Sequence, residues 1–505
     1  MLLLKKPFLK CGISNRMHRR LFSSYQAILS LDSEVLRPPS SVHKVSTGYK
    51  AGAGNGGVSI REVGCTRRVF ILEPHQTIEE IEGMAYRIRV LSKNKGINSV
   101  LISRGNSVDV GLLPTSVVDR PVGNPEDEII GSIEGYDPVE LYKSGLYKDE
   151  NRLDQLFDAV GNLCTAVRGD AEESRIPILT LPPGLICDAG YALCMGGYVL
   201  ATDNTSFRIV NPSRGLSFDP IGLSFILPRL GWEFQQKSAE FVGCGMILAL
   251  TGMEAKVHDM MKTGLATHYI ESSTKLSVLE RSLADLLSWD QQGIRKPRPQ
   301  IHGRPKSEDD ASEEYRNVGV AYLVDSFTSY NNMADDIYNF SDFASMGRDD
   351  PSVDLDYISF DEFRKSNLLQ YAEMLDSIFR EENTVVGIFE RLKEMANHQS
   401  IDDDYVEVIA VAKQLVQKME RQSPLAISVI HKLMQAGGKK DQSITSCMER
   451  EKSALKKLYN MEDFQNWAKH EISSSKKDSF FSDWKYKTLN EVPADEVNEI
   501  IGLKS

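Results

Sequence analysis

Arg67-Arg68-Val69-Phe70-Ile71-Leu72-Glu73 is a short apolar run with polar ends and reads as a β-strand. Ile78, Ile81, Ala85, Ile88 and Leu91 then recur at helical spacing, and Ser99 to Ser103 forms a second strand, which predicts a βαβ opening. A helix from about Leu153 to Val167 and a Pro-flanked strand from Ile176 to Leu181 repeat the pattern. After Trp232 the periodicity is mainly helical. Amphipathic stretches run near Thr274 to Trp289, Leu368 to Phe379, Val385 to Met395, Val406 to Met419 and Pro424 to Gln435. The pattern therefore predicts an α/β half followed by an α half.

Three stretches break it. Residues 35–57 are rich in Pro, Ser and Gly and read as a linker or surface arm. Gly52-Ala53-Gly54-Asn55-Gly56-Gly57 within it satisfies the letters GxGxxG, but no strand precedes it and no helix follows, so a flexible linker is the better reading. Residues 114–136 read as a polar, Pro-containing loop, and residues 290–365 as a long insertion of mixed charge. That insertion opens with Arg295, Lys296, Arg298, Arg304 and Lys306, followed by Glu308, Asp309, Asp310, Glu313 and Glu314, blocks of the kind that stay solvated. Asp354, Asp356, Asp361 and Glu362 lack the central Gly of a calcium loop, and no metal or cofactor is expected.

Composition narrows the class. Hydrophobic residues make up 41% of the chain and charged residues 26%, values ordinary for a globular protein, and no apolar run approaches the ~18 residues of a membrane span. A formal charge of -12 argues against a simple basic nucleic-acid binder. The seven cysteines are scattered without CxxC spacing, which fits neither a zinc site nor a disulfide framework. The N-terminus differs from the rest: Lys5, Lys6, Lys10, Arg16, Arg19 and Arg20 precede the first acidic residue, Asp32. That is transit-peptide composition, with a matrix-protease site expected after Phe22; the alternative is a disordered basic tail.

Leu248-Ala249-Leu250-Thr251-Gly252 followed by Gly264-Leu265-Ala266-Thr267-His268-Tyr269 is similar to the LALTG and AGIATHF segments of 3-hydroxyisobutyryl-CoA hydrolases. Leu227-Pro228-Arg229-Leu230 matches that family's LPRL, Ala201-Thr202 its VAT, and Ser423-Pro424-Leu425-Ala426-Ile427 its late SPTSL segment, all in the family's order. The chain thus resembles a crotonase-superfamily hydrolase. The resemblance implies an α/β fold with a crotonase-like ββα spiral core followed by a helical C-terminal region. The expected organisation is a transit peptide over 1–22, an arm over 23–65, a core over 66–270, a helix continuing it over 271–289, the insertion over 290–365 and a helical region over 366–505.

The resemblance also places the site. Counting from Ala201-Thr202, the family's catalytic Glu falls on Asn211 and its catalytic Asp on Asp219. The MGGG oxyanion turn falls on Ile186-Cys187-Asp188-Ala189, and the other half of the oxyanion hole on Ser107-Val108-Asp109-Val110-Gly111. The oxyanion-equivalent positions are then Val110, Gly111, Asp188 and Ala189. Thioester hydrolysis needs backbone N–H donors for the oxyanion and a carboxylate to activate the attack. Asn211 cannot act as the base, and Asp188 would cap the helix start where the oxyanion should sit. A one-residue slip does not restore the Glu, since Asp219 is the sole carboxylate from Val210 to Arg229.

Two leading functions remain open on this reading, beside a third, a CoA-binding regulator. One is a catalytically degraded scaffold, because relatives of this hydrolase family also occur in the small subunit of mitochondrial ribosomes. Its partners would be mitochondrial ribosomal proteins, with limited rRNA contact through Arg295, Lys296, Arg298, Arg304 and Lys306. The other is a 3-hydroxyisobutyryl-CoA hydrolase, an acyl-CoA thioester hydrolase of valine breakdown with a CoA thioester as ligand and an acidic group elsewhere replacing the missing Glu. Both place the protein in the mitochondrial matrix and away from membranes.

Overall fold

The computed structural model describes residues 58–71, 75–94, 96–104, 133–169, 176–182, 184–230, 243–270, 273–286, 384–398, 403–473 and 481–502, with a few positions between 320 and 379. Strand β1 (Val58–Val63) turns back into β2 (Thr66–Ile71) through Gly64, whose φ of 55° lies in the left-handed region. Helix α1 (Ile78–Ser92) follows, begun by Thr77 and Glu80 in a reciprocal capping box, and then β3 (Ser99–Arg104). Helix α2 (Pro138–Lys143) precedes α3 (Glu150–Arg168), whose cap Asp149 starts it slightly ahead of the apolar pattern. Next come β4 (Ile178–Leu181), β5 (Leu185–Cys187), a 3₁₀ turn (Asp188–Cys194), β6 (Tyr198–Ala201), β7 (Ser206–Arg208) and a 3₁₀ turn (Asn211–Arg214).

The second half continues with α4 (Leu223–Ile226), α5 (Cys244–Thr251), β8 (Ala255–Lys256), α6 (Val257–Thr263), β9 (His268–Tyr269) and α7 (Ser273–Asp285). The C-terminal helices are α8 (Val385–Ala396), α9 (Asp403–Glu420), α10 (Pro424–Gly437), α11 (Ile444–Tyr459), α12 (Glu462–Ser473) and α13 (Ala494–Ile501). The main sheet has the order β1-β2-β3-β4-β6-β9; β1 and β2 are antiparallel and the remaining neighbours parallel. A second sheet, β5-β7-β8, leads directly into the two 3₁₀ turns.

The βαβ opening and the α/β-then-α order match the expectation from periodicity. Three local readings differ. Strand β1 lies inside the stretch expected as an arm, because its pairing with β2 supplies the order that its own sequence does not announce. The expected insertion over 290–365 contributes Val320 and Val324, both fully buried against Leu101, Leu179, Leu279 and Leu283, so part of it completes the core. Helices α11, α12 and α13 are additional to the apolar stretches read from sequence. The loop over 114–132, the GxGxxG letters, most of the helix expected over 368–379 and the acidic stretch around Asp356 lie outside the described residues.

The helical half closes on the α/β half through close backbone approaches. A Cβ on Gly437, in the last turn of α10, would fall 2.1 Å from the Ser224 carbonyl oxygen, and one on Gly245 would fall 1.9 Å from that of Leu227. Arg229 seals the same contact: Nη1 donates to the Gly437 oxygen at 2.8 Å and Nη2 to the Lys439 oxygen at 2.9 Å, satisfying carbonyls at the end of α10. Helix propensity alone favours Gly437→Ala by about 1 kcal/mol. The overlap with Ser224 reverses the sign. Gly437→Ala is expected to lower the urea midpoint by about 1–3 kcal/mol equivalent, with the denaturant slope unchanged.

Candidate functional site

The side chains that sequence resemblance picks out converge where β5 and β7 end. Asp188 follows β5 and is the one non-glycine residue at positive φ among the described residues, at 42°. Asp tolerates this region better than most residues, though at some cost in strain. Its carboxylate is buried. Oδ1 accepts the backbone N–H of Val210 at 2.9 Å and of Asn211 at 3.2 Å. Asp188 therefore stands at the start of a helical turn, as expected, but caps the facing turn, Asn211–Arg214, and not its own. The cap position of its own turn is Cys187, in extended backbone, which leaves Asp188 one residue too late to serve it.

Oδ2 of Asp188 is buried without a hydrogen bond and lies 3.6 Å from Nη1 of Arg214. Arg214 is shared, with Nη2 donating to Oε2 of Glu134 at 3.0 Å, and Glu134 in turn lies 3.3 Å from Nε2 of His75. The chain of charge His75, Glu134, Arg214, Asp188 thus runs from a half-buried imidazole to a buried carboxylate. The His75 hydrogen bond, helped by Arg214, holds the Glu134 carboxyl down at about 2. The same bond raises His75. Burial raises Asp188 above the ordinary carboxylate range, against the pull of Arg214 and the two N–H donors.

Asp219 lies in the same cluster, fully buried. Oδ1 accepts from the Tyr136 hydroxyl at 2.5 Å and Oδ2 from Nδ2 of Asn211 at 2.9 Å. Asn211 Nδ2 also donates to the Ser217 carbonyl at 2.9 Å, and the Tyr459 hydroxyl donates to that of Tyr136 at 3.3 Å. Asp219 is thus no ordinary turn residue: both of its oxygens are used. Burial, reinforced by the charge of Asp188, pushes its carboxyl up to about 7. Ala189 is buried beneath Gly135, whose φ is 89° and whose missing Cβ would fall 2.7 Å from that of Ala189. Val110, Gly111, Arg295, Lys296, Arg298, Arg304 and Lys306 lie outside the described residues.

Sequence reasoning missed His75, Glu134, Tyr136, Arg214, Glu451 and Tyr459. Only Glu451 left a signal: it occupies the apolar face of α11 with Ile444, Cys447, Ala454, Leu455 and Leu458. A carboxylate there needs buried donors. It finds them in the N–H groups of Gly222 at 2.7 Å and Ser224 at 2.6 Å, while burial still pushes its carboxyl up to about 7.

These raised carboxyls make stability depend on pH with a definite sign. A carboxyl whose folded pKa lies above its unfolded value binds more protons in the folded state, so unfolding becomes easier as pH rises through the window between the two. For Asp219 and Glu451 that window runs from the ordinary carboxylate range to about 7, and the raised His75 adds loss of stability in the same direction above its unfolded value. The full chain is expected to melt at a higher temperature at pH 6 than at pH 8. Asp219→Asn should flatten that dependence, as measured by thermal unfolding at a series of pH values. Asp188→Gly should relieve the strained φ yet lower stability by about 1–3 kcal/mol, because the Val210 and Asn211 N–H groups lose their acceptor.

The comparisons agree with this geometry at the level of family and fold. The family model for enoyl-CoA hydratase/isomerase matches residues 135–346 and 317–501. The 3-hydroxyisobutyryl-CoA hydrolase, mitochondrial, of Gallus gallus is 32% identical over 149 residues, covering 29% of this chain and 32% of that protein. The protein of the same name from Homo sapiens is 31% identical over 137 residues, covering 27% and 32%. The match spans about a third of the length of these relatives. A carnitinyl-CoA dehydratase from Mycobacterium thermoresistibile superposes with a TM-score of 0.55 at 15% identity, covering 88% of this chain and 96% of its own. An enoyl-CoA hydratase from Rhodobacter sphaeroides 2.4.1 gives a TM-score of 0.54 at 14% identity, covering 88% and 97%. These two show the crotonase fold, and with the family match over most of its length the chain belongs to the enoyl-CoA hydratase/isomerase family.

Proposed function

We propose that this chain is a crotonase-fold protein that has lost thioester hydrolysis and serves as a structural component of the small subunit of the mitochondrial ribosome. The observation that carries the loss is the state of Asp219, whose two oxygens are taken by Tyr136 and by Asn211, the residue at the position that resemblance assigns to the catalytic Glu. A hydrolase needs a carboxylate free to accept a proton or attack the acyl carbon, and general acid–base catalysis is worth ~10²–10⁴ in rate. Asp188 adds a buried carboxyl group beside a site that should stabilise a developing anion, where fixed N–H donors are what thioester hydrolysis requires.

The location in the mitochondrial matrix is supported by the acid-free N-terminus and by relatives whose names place them in mitochondria. The ribosomal assignment rests on the resemblance to the hydrolase relatives of that particle. An acidic body joins a ribonucleoprotein mainly through proteins. Phosphate attraction falls off within ~8 Å at physiological salt, so rRNA is left to short basic segments such as Arg295, Lys296, Arg298, Arg304 and Lys306. No described helix is long and apolar enough to cross a membrane.

One observation favours 3-hydroxyisobutyryl-CoA hydrolysis as a second reading. A buried carboxyl pushed up to about 7, as Asp219 is, suits proton transfer near neutrality, with Asp188 as a second carboxylate close by. Steady-state assay of the purified chain decides between them. The expected result is no turnover of 3-hydroxyisobutyryl-CoA above background; turnover within ~1–10³ s⁻¹ that disappears in Asp219→Asn would put the hydrolase first. In sedimentation of mitochondrial lysate the tagged protein should travel with the small ribosomal subunit. Deleting residues 290–318, which spares the buried Val320, should weaken that association without unfolding the body. Wild-type protein confined to light fractions at low salt would exclude the ribosomal role.

A further inference from the structure

Among the described residues, helix α1 carries an exposed face that contributes nothing to the core or the site. Among the described residues four large apolar side chains are exposed, and two of them, Tyr86 at 69% and Val90 at 50%, stand one turn apart on this helix. One turn earlier is Gly83, where an added Cβ would meet nothing within 4 Å. Glycine inside a helix costs about 1 kcal/mol relative to alanine, and no neighbour among the described residues requires it here. With 3.6 residues per turn, Gly83, Tyr86 and Val90 fall on one stripe, with the i, i+3, i+7 spacing of a helix–helix seam.

The charges beside this stripe are sorted along the axis. Glu79 and Glu82 lie toward its N-terminal end, and Arg87, Arg89 and Lys93 toward its C-terminal end, all exposed. Glu79 is 3.7 Å from Arg152 and Glu82 accepts from Gln155 at 3.2 Å, surface contacts of the kind worth little in water. A face with an acidic end, a glycine notch, an apolar centre and a basic end is complementary to itself when reversed.

We propose that this face pairs with the same face of a second copy of the chain, the two α1 helices running antiparallel about a two-fold axis near Tyr86. In that register Gly83 of one copy receives Val90 of the other, Glu82 faces Arg89, and Glu79 faces Lys93. A two-fold axis repeats each pairing. A parallel arrangement would set like charges together. A single pair of helices buries less than the ~1,200 Å² of a stable interface, so the dimer is weak and dependent on concentration. The inference is independent of the ribosomal reading.

Sedimentation velocity of the full chain over a concentration series tests it. The expected result is a monomer–dimer shift that weakens toward ~1 M salt, where the Debye length shrinks to ~3 Å. The double variants Glu79→Lys/Glu82→Lys and Arg89→Glu/Lys93→Glu should each dimerise at least tenfold more weakly than wild type, and their equimolar mixture should regain the dimer. Gly83→Gln should raise the melting temperature of the monomer while abolishing dimerisation, a combination that a glycine of purely structural role would not give. Wild-type protein that stays monomeric throughout, reversed variants that dimerise like wild type, or a mixture that stays monomeric would each overturn the proposal.

Discussion

A carboxylate taken out of water is tolerated only where fixed donors replace its hydration. The segment from Val210 to Leu230, which joins the α/β half to the helical half, is built around that constraint. Asp188 reaches it from β5 and binds the N–H groups of Val210 and Asn211. Glu451 reaches it from α11 and binds those of Gly222 and Ser224. Asp463 on α12 packs against Gly215, which has a φ of 75° and no room for a Cβ, and accepts from Ser423, the cap of α10, at 2.5 Å. Ser423 in turn donates its own N–H to the Pro212 carbonyl at 3.0 Å. The irregular backbone of this segment is satisfied in part by Asp188 and Glu451, and those two acids take its N–H groups as donors, whereas Asp463 is held by Ser423 and by the Lys485 N–H. Neither that backbone nor those two acids could be buried alone.

The same arrangement limits the chemistry available. An acid that fixes backbone cannot also be a mobile proton acceptor, since proton transfer would release the N–H groups that hold the segment. Asp219 comes closest to a reactive group, because its partners are side chains and its carboxyl is pushed up toward neutrality. Yet Tyr136, Asn211 and Tyr459 form a closed set of donors around it, and a closed network favours one arrangement over turnover.

The parts of the fold written in local patterns were legible in the sequence. Ile78, Ile81, Ala85 and Ile88 marked the buried stripe of α1, and the amphipathic stretch from Pro424 to Gln435 marked α10, whose start the structure shows capped by Ser423. The site was legible only as far as motif spacing carried it, to Asp188, Asn211 and Asp219. Its partners come from distant segments, His75 and Glu134 before α2 and Tyr459 at the end of α11, and no local period announces a contact across more than 300 residues, as between Tyr136 and Tyr459. Strand β1 escaped for a related reason: its order comes from pairing with β2, while its own neighbourhood reads as linker. Val320 and Val324 escaped because two apolar residues in a mixed-charge stretch carry no period by themselves.

Electrostatics also limits what a single change at position 211 can achieve. A glutamate at position 211 would enter a volume that already holds Asp188 and Asp219, with Arg214 the nearby cation and Glu134 competing for it. Like charges in a dry site raise one another's pKa, as Asp188 already does to Asp219, so the new group would be neutralised by a proton at the pH where it should act as a base. It would also remove the Nδ2 donor that now serves Asp219 and the Ser217 carbonyl. Replacing Asp188 first frees the charge but strips the N–H groups of Val210 and Asn211. Each path to a free carboxylate at this position therefore passes through a less stable chain, because each leaves a buried donor or acceptor without its partner.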